Sequence, residues 1–132
     1  GDDNTLSAEL SILLARALRA RGSAVDQQRA DKIATTLAQD FQLAFTRNDA
    51  IPHKEYAQYA LYLADQPSAA LSSARDNWAL QKEPSDTRLL AYAATANNDQ
   101  QTLVEVAQWV DAVGTQDQRL HAVLNRLRET TP

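Results

Sequence analysis

Apolar residues recur along this chain at the spacing of helix faces. From Leu6 onward they fall at every third or fourth position, which places them on one side of a helix. The spacing returns in six further segments, separated by glycine, proline, asparagine and aspartate, which favour turns. No segment alternates with period two for long enough to predict a strand. The pattern therefore predicts an all-α chain of seven helices, joined antiparallel by connections of about two to five residues.

Turn-forming residues set the expected helix boundaries. Gly22 should end the first helix. The second and third helices should be separated by a break that closes at Pro52, because proline disfavours helical backbone at the residue before it. Pro67 fits the first turn of the fourth helix, and Pro84 is expected to end that helix. Short acidic side chains cap helix N-termini well. The residues expected to cap the fifth, sixth and seventh helices are Asp86, Asp99 and Asp117.

A large aromatic residue recurs late in alternate helices, at Phe45, Trp78 and Trp109, with separations of 33 and 31 residues. A residue suited to begin a helix follows each aromatic eight positions later, and an apolar anchor follows after three more. The helix-starting residues are His53, Asp86 and Asp117, and the apolar anchors are Tyr56, Leu89 and Leu120. Self-similarity at this period indicates stacked helical hairpins. We expect each aromatic to be buried between consecutive hairpins, where truncation would cost about 3–5 kcal/mol.

Residues 53–84, HKEYAQYALYLADQPSAALSSARDNWALQKEP, resemble the tetratricopeptide repeat family. The residues that carry the resemblance are Tyr56 as first-helix aromatic, Ala60 as small residue, Leu63 as later large residue, and Ala79 and Pro84 near the repeat's end. The second helix is about two residues longer than the family pattern of 34 allows, and no proline follows Trp109 at the matching offset. The resemblance extends over about residues 6 to 130. It implies a right-handed α-solenoid of about three helical hairpins plus a C-terminal capping helix, in the C-terminal part of a longer bacterial repeat protein with a scaffold role and no enzyme activity.

Composition narrows the class of protein. Residues 1–4 carry no apolar anchor, so we expect a disordered leader or cloning remnant there and a single helical-repeat domain over residues 5–130. The net charge of −4 argues against a nucleic-acid partner, and the lack of a long apolar run argues against membrane insertion. The chain has no cysteine, and its lack of methionine indicates a piece of a longer translation product. The compartment stays open, with an exported or periplasmic location favoured over the cytoplasm.

No motif predicts catalysis or a cofactor. The two histidines, His53 and His121, are 68 positions apart and lack further ligands at helical spacing, so we expect a structural or solvated role rather than a metal site. The serines lack a glycine-rich elbow and the three glycines are isolated, which argues against a nucleophile and against a phosphate loop. We therefore predict no catalytic, cofactor-binding or metal-binding residue.

The candidate binding surface is a polar strip on the first helix of each hairpin. Helices three, five and seven are expected side by side, so their outward positions would form one surface. The candidate residues are Glu55, Gln58, Tyr62, Arg88, Thr95, Arg119 and Arg126. Three arginines against one glutamate give the strip a positive charge that could steer an acidic partner segment. Alternatively, the charges are ordinary helix-surface residues and the tyrosines pack between helices.

The favoured function is a non-enzymatic scaffold that binds a protein or peptide. A purely structural solenoid end, and a small-ligand-binding or enzyme-accessory domain, are the alternatives. A deep apolar pocket with converging polar groups would favour the ligand-binding alternative. The apolar stripe from Leu6 to Leu18 could also pair with a second copy, which predicts a possible homodimer through the N-terminal helix.

Overall fold

A computed structural model describes residues 2–113 and 118–130, and the side chains of residues 7–113 and 120–129. The described residues form seven α-helices and no strand, which confirms the predicted all-α class. The helices are α1 Asp2–Arg21, α2 Ala24–Thr46, α3 His53–Tyr62, α4 Pro67–Leu80, α5 Pro84–Ala96, α6 Gln100–Val113 and α7 Gln118–Thr130.

The chain divides into two compact units, residues 1–66 and 67–132. The single helical-repeat domain over residues 5–130 stays a prediction. Unit 1 contains α1 to α3 and unit 2 contains α4 to α7. Helix α1 begins at Asp2, inside the segment predicted to be a leader.

Unit 1 is built on contacts of α1 with both α2 and α3. Ile12, Ala15 and Leu18 of α1 are buried in one cluster with Leu37 and Phe41 of α2. This face of α1 has the spacing that the apolar pattern predicts.

The α1–α2 connection is a tight turn centred on Gly22, which confirms the predicted end of α1. Gly22 has a φ of +78°, a conformation that favours glycine because a side chain would be strained there. Ser23 then caps α2, because its Oγ accepts a hydrogen bond from the Asp26 backbone N–H at 3.1 Å.

Helix α5 is the central element of unit 2 and packs against α4, α6 and α7. Seven of its 13 residues are buried, including the consecutive Leu89, Leu90 and Ala91. A helix buried on most of its circumference acts as a core element rather than as a surface helix. The other three helices of the unit therefore lie around α5.

The predicted start of α5 is wrong. The helix begins at Pro84, with Glu83 at the N-cap position, rather than after Asp86. Proline suits a first helical position because its missing N–H has no partner there in any helix. Asp86 instead lies at the third helical position, where its Oδ2 accepts a hydrogen bond from the Glu83 N–H at 3.0 Å.

The predicted cap of α6 is confirmed. Asp99 lies directly before the helix, and its Oδ1 accepts a hydrogen bond from the Thr102 N–H at 3.1 Å. The third predicted cap, Asp117, lies outside the described residues.

Candidate functional site

The recurring aromatics occupy different environments. Trp78 is 7% exposed, and its ring meets the ring of Trp109 edge-on at 5.7 Å between centroids, so its predicted burial is confirmed. Trp109 is partly buried. Phe45 is 48% exposed, so its predicted burial is wrong, although its ring lies 5.3 Å from that of Tyr56.

Phe41, one turn before Phe45, is the buried aromatic of α2. Its ring lies 5.1 Å from Tyr56 and 5.3 Å from Tyr59, and all three side chains belong to the core of unit 1 or pack against it. Two of the clustered tyrosines on α3 are therefore packing residues. Burial, with a smaller effect of the neighbouring Tyr56, raises the pKa of the Tyr59 phenol.

The spacing between the tryptophan and the following aspartate reflects a buried polar junction of α4 and α5. Asn77 Nδ2 donates to Asp86 Oδ1 at 2.9 Å, and Trp78 Nε1 donates to Thr87 Oγ1 at 3.1 Å. Both bonds join residues nine positions apart, and Asp86 is fully buried. Because buried polar groups need partners, this arrangement fixes how the two helices meet. At Trp78 and Asp86 the motif therefore has a structural role.

A second polar cluster links α4 to α6. The Arg75 guanidinium donates to Thr102 Oγ1 and pairs with Glu105 Oε2 at 3.2 Å. Thr102 Oγ1 in turn donates to Asp99 Oδ2 at 2.6 Å. This hydrogen bond, together with the one from the Thr102 backbone, lowers the pKa of the Asp99 carboxyl. Each polar group has a partner within the fold, so the cluster contributes to packing.

The α3 members of the predicted strip are buried or partly buried rather than fully exposed. Glu55 is buried, so the outward position expected for it is wrong. Gln58 is partly buried, and its Oε1 accepts no hydrogen bond from the described residues. Tyr62 is partly buried, with the Arg16 guanidinium 3.7 Å from its ring centre. These α3 positions are less exposed than predicted because α3 packs against α1. The apolar spacing of α3 alone does not reveal that contact.

The α5 and α7 members of the strip lie in unit 2, where these two helices pack against each other, as the sequence predicts. Arg126 is exposed, Arg88 is partly buried, and both make interactions within the fold. Thr95 is partly buried and its hydroxyl donates to the Ala91 carbonyl at 2.9 Å. The side chain of Arg119 lies outside the described residues. The structure therefore brings Arg88, Thr95 and Arg126 onto packed helices of one unit.

Unit 1 contains a groove that the sequence did not predict. Its volume is about 970 Å³, and it lies between the N-terminal half of α1, the C-terminal two thirds of α2 and the loop that precedes α3. We call it the unit 1 groove. Its lining residues are Ser7, Ala8, Ser11, Ile33, Thr36, Leu37, Asp40, Phe41, Ala44, Asp49, Ala50, Ile51 and Pro52.

The lining of the unit 1 groove combines apolar, hydroxyl-bearing and acidic side chains. Leu37 and Phe41 are buried residues of the core whose surfaces reach the groove. Asp40 and Asp49 are exposed, and neither carboxylate forms an ion pair with another described residue. Two acidic groups beside an apolar floor give the groove a negative charge without an internal counter-ion.

Backbone hydrogen bonds hold the loop that closes the groove. The Asn48 N–H donates to the Phe45 carbonyl at 3.1 Å, and the Asp49 N–H donates to the Ala44 carbonyl at 2.9 Å. Asn48 has a φ of +58°, which asparagine tolerates better than most residues. The position of Asp49 is thus defined by the end of α2.

The remaining chemistry is sparse in the part of the chain that the structure describes. His53 and His121 belong to different units and each interacts with its surroundings. Among the described side chains of residues 7–113 and 120–129, no three from histidine, aspartate or glutamate lie close enough to hold a metal ion. None of the described helices combines the length and apolar character needed to cross a membrane.

Comparisons with known proteins identify no relative. No protein-family model, no curated protein and no solved structure matches the chain.

Proposed function

We propose that this chain is a non-enzymatic protein- or peptide-binding module, and that the unit 1 groove is its binding site. The observation that carries the proposal is the combination, in one groove, of an apolar floor and two carboxylates without an ion-pair partner among the described residues. This combination suits a partner segment that presents apolar and basic side chains together.

The apolar floor would supply affinity. A groove of about 970 Å³ is large enough for several side chains of a partner segment. Burying apolar partner side chains against the partly exposed Ile33, Ile51 and Pro52 would remove apolar surface on both sides from water, which is the main favourable term in most associations.

The carboxylates would supply orientation. Asp40 lies on α2 and Asp49 lies on the loop, so basic side chains of the partner can pair with them at two separate points. Charges at the edge of a binding site mainly set the association rate and the choice of partner, and salt screens them. Binding through this groove should therefore weaken as the salt concentration rises.

One helix contact in each unit supports an arrangement of the tetratricopeptide type. In such stacks the first helices of successive hairpins lie together. Helix α1 packs on α3 in unit 1, and α5 packs on α7 in unit 2. The right-handed solenoid that the sequence suggests remains a proposal, as does the arginine strip on α5 and α7 as a surface for an acidic segment.

Fluorescence anisotropy with designed peptides tests the binding site. The probes are labelled helical peptides with leucine at every third or fourth position and with lysine, glutamate or serine elsewhere. We expect the lysine peptide to bind and the glutamate peptide not to bind, because the groove is acidic. Tight binding of the glutamate peptide alone would instead support the arginine strip.

Matched variants locate the binding. The double variant Asp40→Asn and Asp49→Asn removes both charges with little change in volume. It should weaken binding of the lysine peptide by about two- to thirtyfold, since two exposed ion pairs contribute roughly 0.2–1 kcal/mol each. Asp65→Asn is the control, because Asp65 is an exposed aspartate of the same unit that does not line the groove. Equal affinity of the double variant and the control would reject the unit 1 groove as the site.

A further inference from the structure

Helix α1 carries a second apolar face in addition to the face that packs in the core. Leu10, Leu13 and Leu14 are 56%, 60% and 48% exposed, and Ala17 is exposed as well. These four positions follow the i, i+3, i+4, i+7 pattern of one helix face. The face points away from the core-facing Ile12, Ala15 and Leu18. We call it the outer α1 face.

The exposed side of the neighbouring helix is different. Exposed positions in the first half of α2 are mostly polar, namely Gln27, Gln28, Arg29, Asp31, Lys32 and Thr35. The outer α1 face has no charged residue between Leu10 and Leu14, and Val25, which is 64% exposed at the start of α2, adds to the exposed apolar surface of the unit. Contiguous apolar surface of this kind marks an interaction site.

We propose that the outer α1 face pairs with the same face of a second copy, with the two α1 helices antiparallel. A twofold axis between Leu13 and Leu14 makes the face complementary to itself, as a symmetric dimer requires. Leu13 of each copy then lies opposite Leu14 of the other, and Leu10 lies opposite Ala17. The small Ala17 leaves room for the larger Leu10.

The charges along α1 favour the antiparallel orientation. The N-terminal half carries only acidic residues, Asp2, Asp3 and Glu9, and the C-terminal half carries only basic ones, Arg16, Arg19 and Arg21. Antiparallel pairing places the acidic half of one helix beside the basic half of the other, and it also opposes the two helix dipoles. Parallel pairing would place like charges together. The charge pattern therefore fits a second copy in one orientation.

Some of these arginines also interact inside their own unit. Arg16 lies over the Tyr62 ring, and Arg19 donates to the Leu63 carbonyl at 3.1 Å. Arg21 pairs with Asp26 at 3.2 Å while remaining 72% exposed. Arg19 also pairs with Asp31 at 3.5 Å, so carboxylates of α2 balance part of this charge inside the unit, while Arg16 and Arg21 remain exposed.

Sedimentation equilibrium over a wide concentration range tests the proposal. The apparent mass should rise from the monomer value of 14.6 kDa toward twice that value as the protein concentration increases. Leu13→Glu should abolish the change, because it places two like charges at the axis. Leu80→Glu, at a position on α4 that is 80% exposed, is the matched control and should behave as the unchanged chain. Both variants should keep the far-ultraviolet circular dichroism of the parent, and Leu13→Ser offers a neutral second variant.

A monomer at every concentration would overturn the proposal, and so would unchanged dimerisation of both Leu13→Glu and Leu13→Ser.

Disulfide cross-linking tests the orientation of the two helices. The chain has no cysteine of its own, so each introduced cysteine can react only with another introduced one. A mixture of Leu10→Cys and Ala17→Cys chains should form a mixed disulfide on mild oxidation. Each alone should cross-link poorly, since seven residues separate identical positions by about 10 Å along antiparallel helices. Efficient cross-linking of each variant with itself would instead indicate parallel pairing. The unit 1 groove is not involved, so these results are independent of the proposed function.

Discussion

Replacing Trp78 by alanine should destabilise unit 2 strongly, whereas the same truncation of Phe45 should be mild in unit 1. The two residues hold equivalent places in the sequence repeat, but Trp78 is 7% exposed and Phe45 is 48% exposed. The pair therefore separates the effect of structural burial from the effect of position in the repeat.

The expected magnitudes follow from burial and contacts. Truncation of a buried tryptophan or phenylalanine to alanine typically costs about 3–5 kcal/mol. Trp78 should reach this range because it packs against Trp109, lies under the Lys82 ammonium and donates a buried hydrogen bond to Thr87. Phe45 buries only about half of its side chain, so its truncation should cost about 1–2 kcal/mol. Trp78→Phe should fall between them, since it keeps most of the ring but loses a hydrogen bond worth about 0.5–1.5 kcal/mol.

Urea unfolding measures these differences separately in the two units. The chain has two tryptophans, Trp78 and Trp109, and both belong to unit 2. Tryptophan fluorescence thus reports unit 2, even in Trp78→Ala, while circular dichroism reports both units. A loss of about 3 kcal/mol in a unit of this size should lower its melting temperature by at least about 12 °C. A cost below about 1 kcal/mol for Trp78→Ala, or an equal cost for Phe45→Ala, would refute the assigned role of Trp78.

Two further predictions concern single side chains. Asp99→Ala should cost about 0.5–2 kcal/mol through loss of the α6 cap. Because hydrogen bonds from Thr102 lower the pKa of Asp99, its stabilisation should be present above the unfolded-state pKa of about 3.9 and be lost as the pH falls through the lower folded-state value. The difference between the parent and Asp99→Ala, measured by urea unfolding at several pH values, should therefore shrink in acid, and a constant difference would contradict this assignment. Asp86→Ala should cost about 1–3 kcal/mol, since it leaves both Asn77 Nδ2 and the Glu83 N–H without their acceptor. Addition of Asn77→Ala should then cost little more, and full additivity of the two changes would argue against their coupling.

The number and type of elements could be predicted from sequence because apolar spacing and turn residues are local signals. Gly22, Pro67 and Asp99 mark helix boundaries that the structure confirms: the end of α1 and the starts of α4 and α6. The start of α5 was ambiguous because Pro84 fits both the end of one helix and the first turn of another. Its place in the structure depends on Asp86 reaching back to Glu83, which the spacing does not reveal.

The site residues could not be predicted because they depend on how helices pack. Phe41 and Phe45 lie one turn apart on α2, and the contacts of α2 with Tyr56 and Tyr59 decide which of them is buried. Glu55 looks like a surface residue until α1 packs against α3. Helix periodicity alone therefore misplaces Glu55, which the spacing assigns to the outer side of α3 and the structure buries.

The unit 1 groove left only a weak trace in the sequence. Ser7 and Ser11 form a polar pair one turn apart on α1, and Thr36 and Asp40 form a similar pair on α2, each beside the apolar stripe of its helix. Polar edges of this kind also occur on ordinary surface helices. Only the meeting of both edges with the loop at Asp49 makes a groove.

Amide chemical-shift mapping with the lysine peptide is the most direct test of the unit 1 groove as the binding site. The largest shifts should fall on residues 7–11, 33–44 and 49–52, which line the groove on three segments distant in sequence. The same residues should show little change in the Asp40→Asn, Asp49→Asn variant at equal peptide concentration. Shifts confined to α5 and α7, or no shifts at a saturating peptide concentration, would contradict binding in the groove.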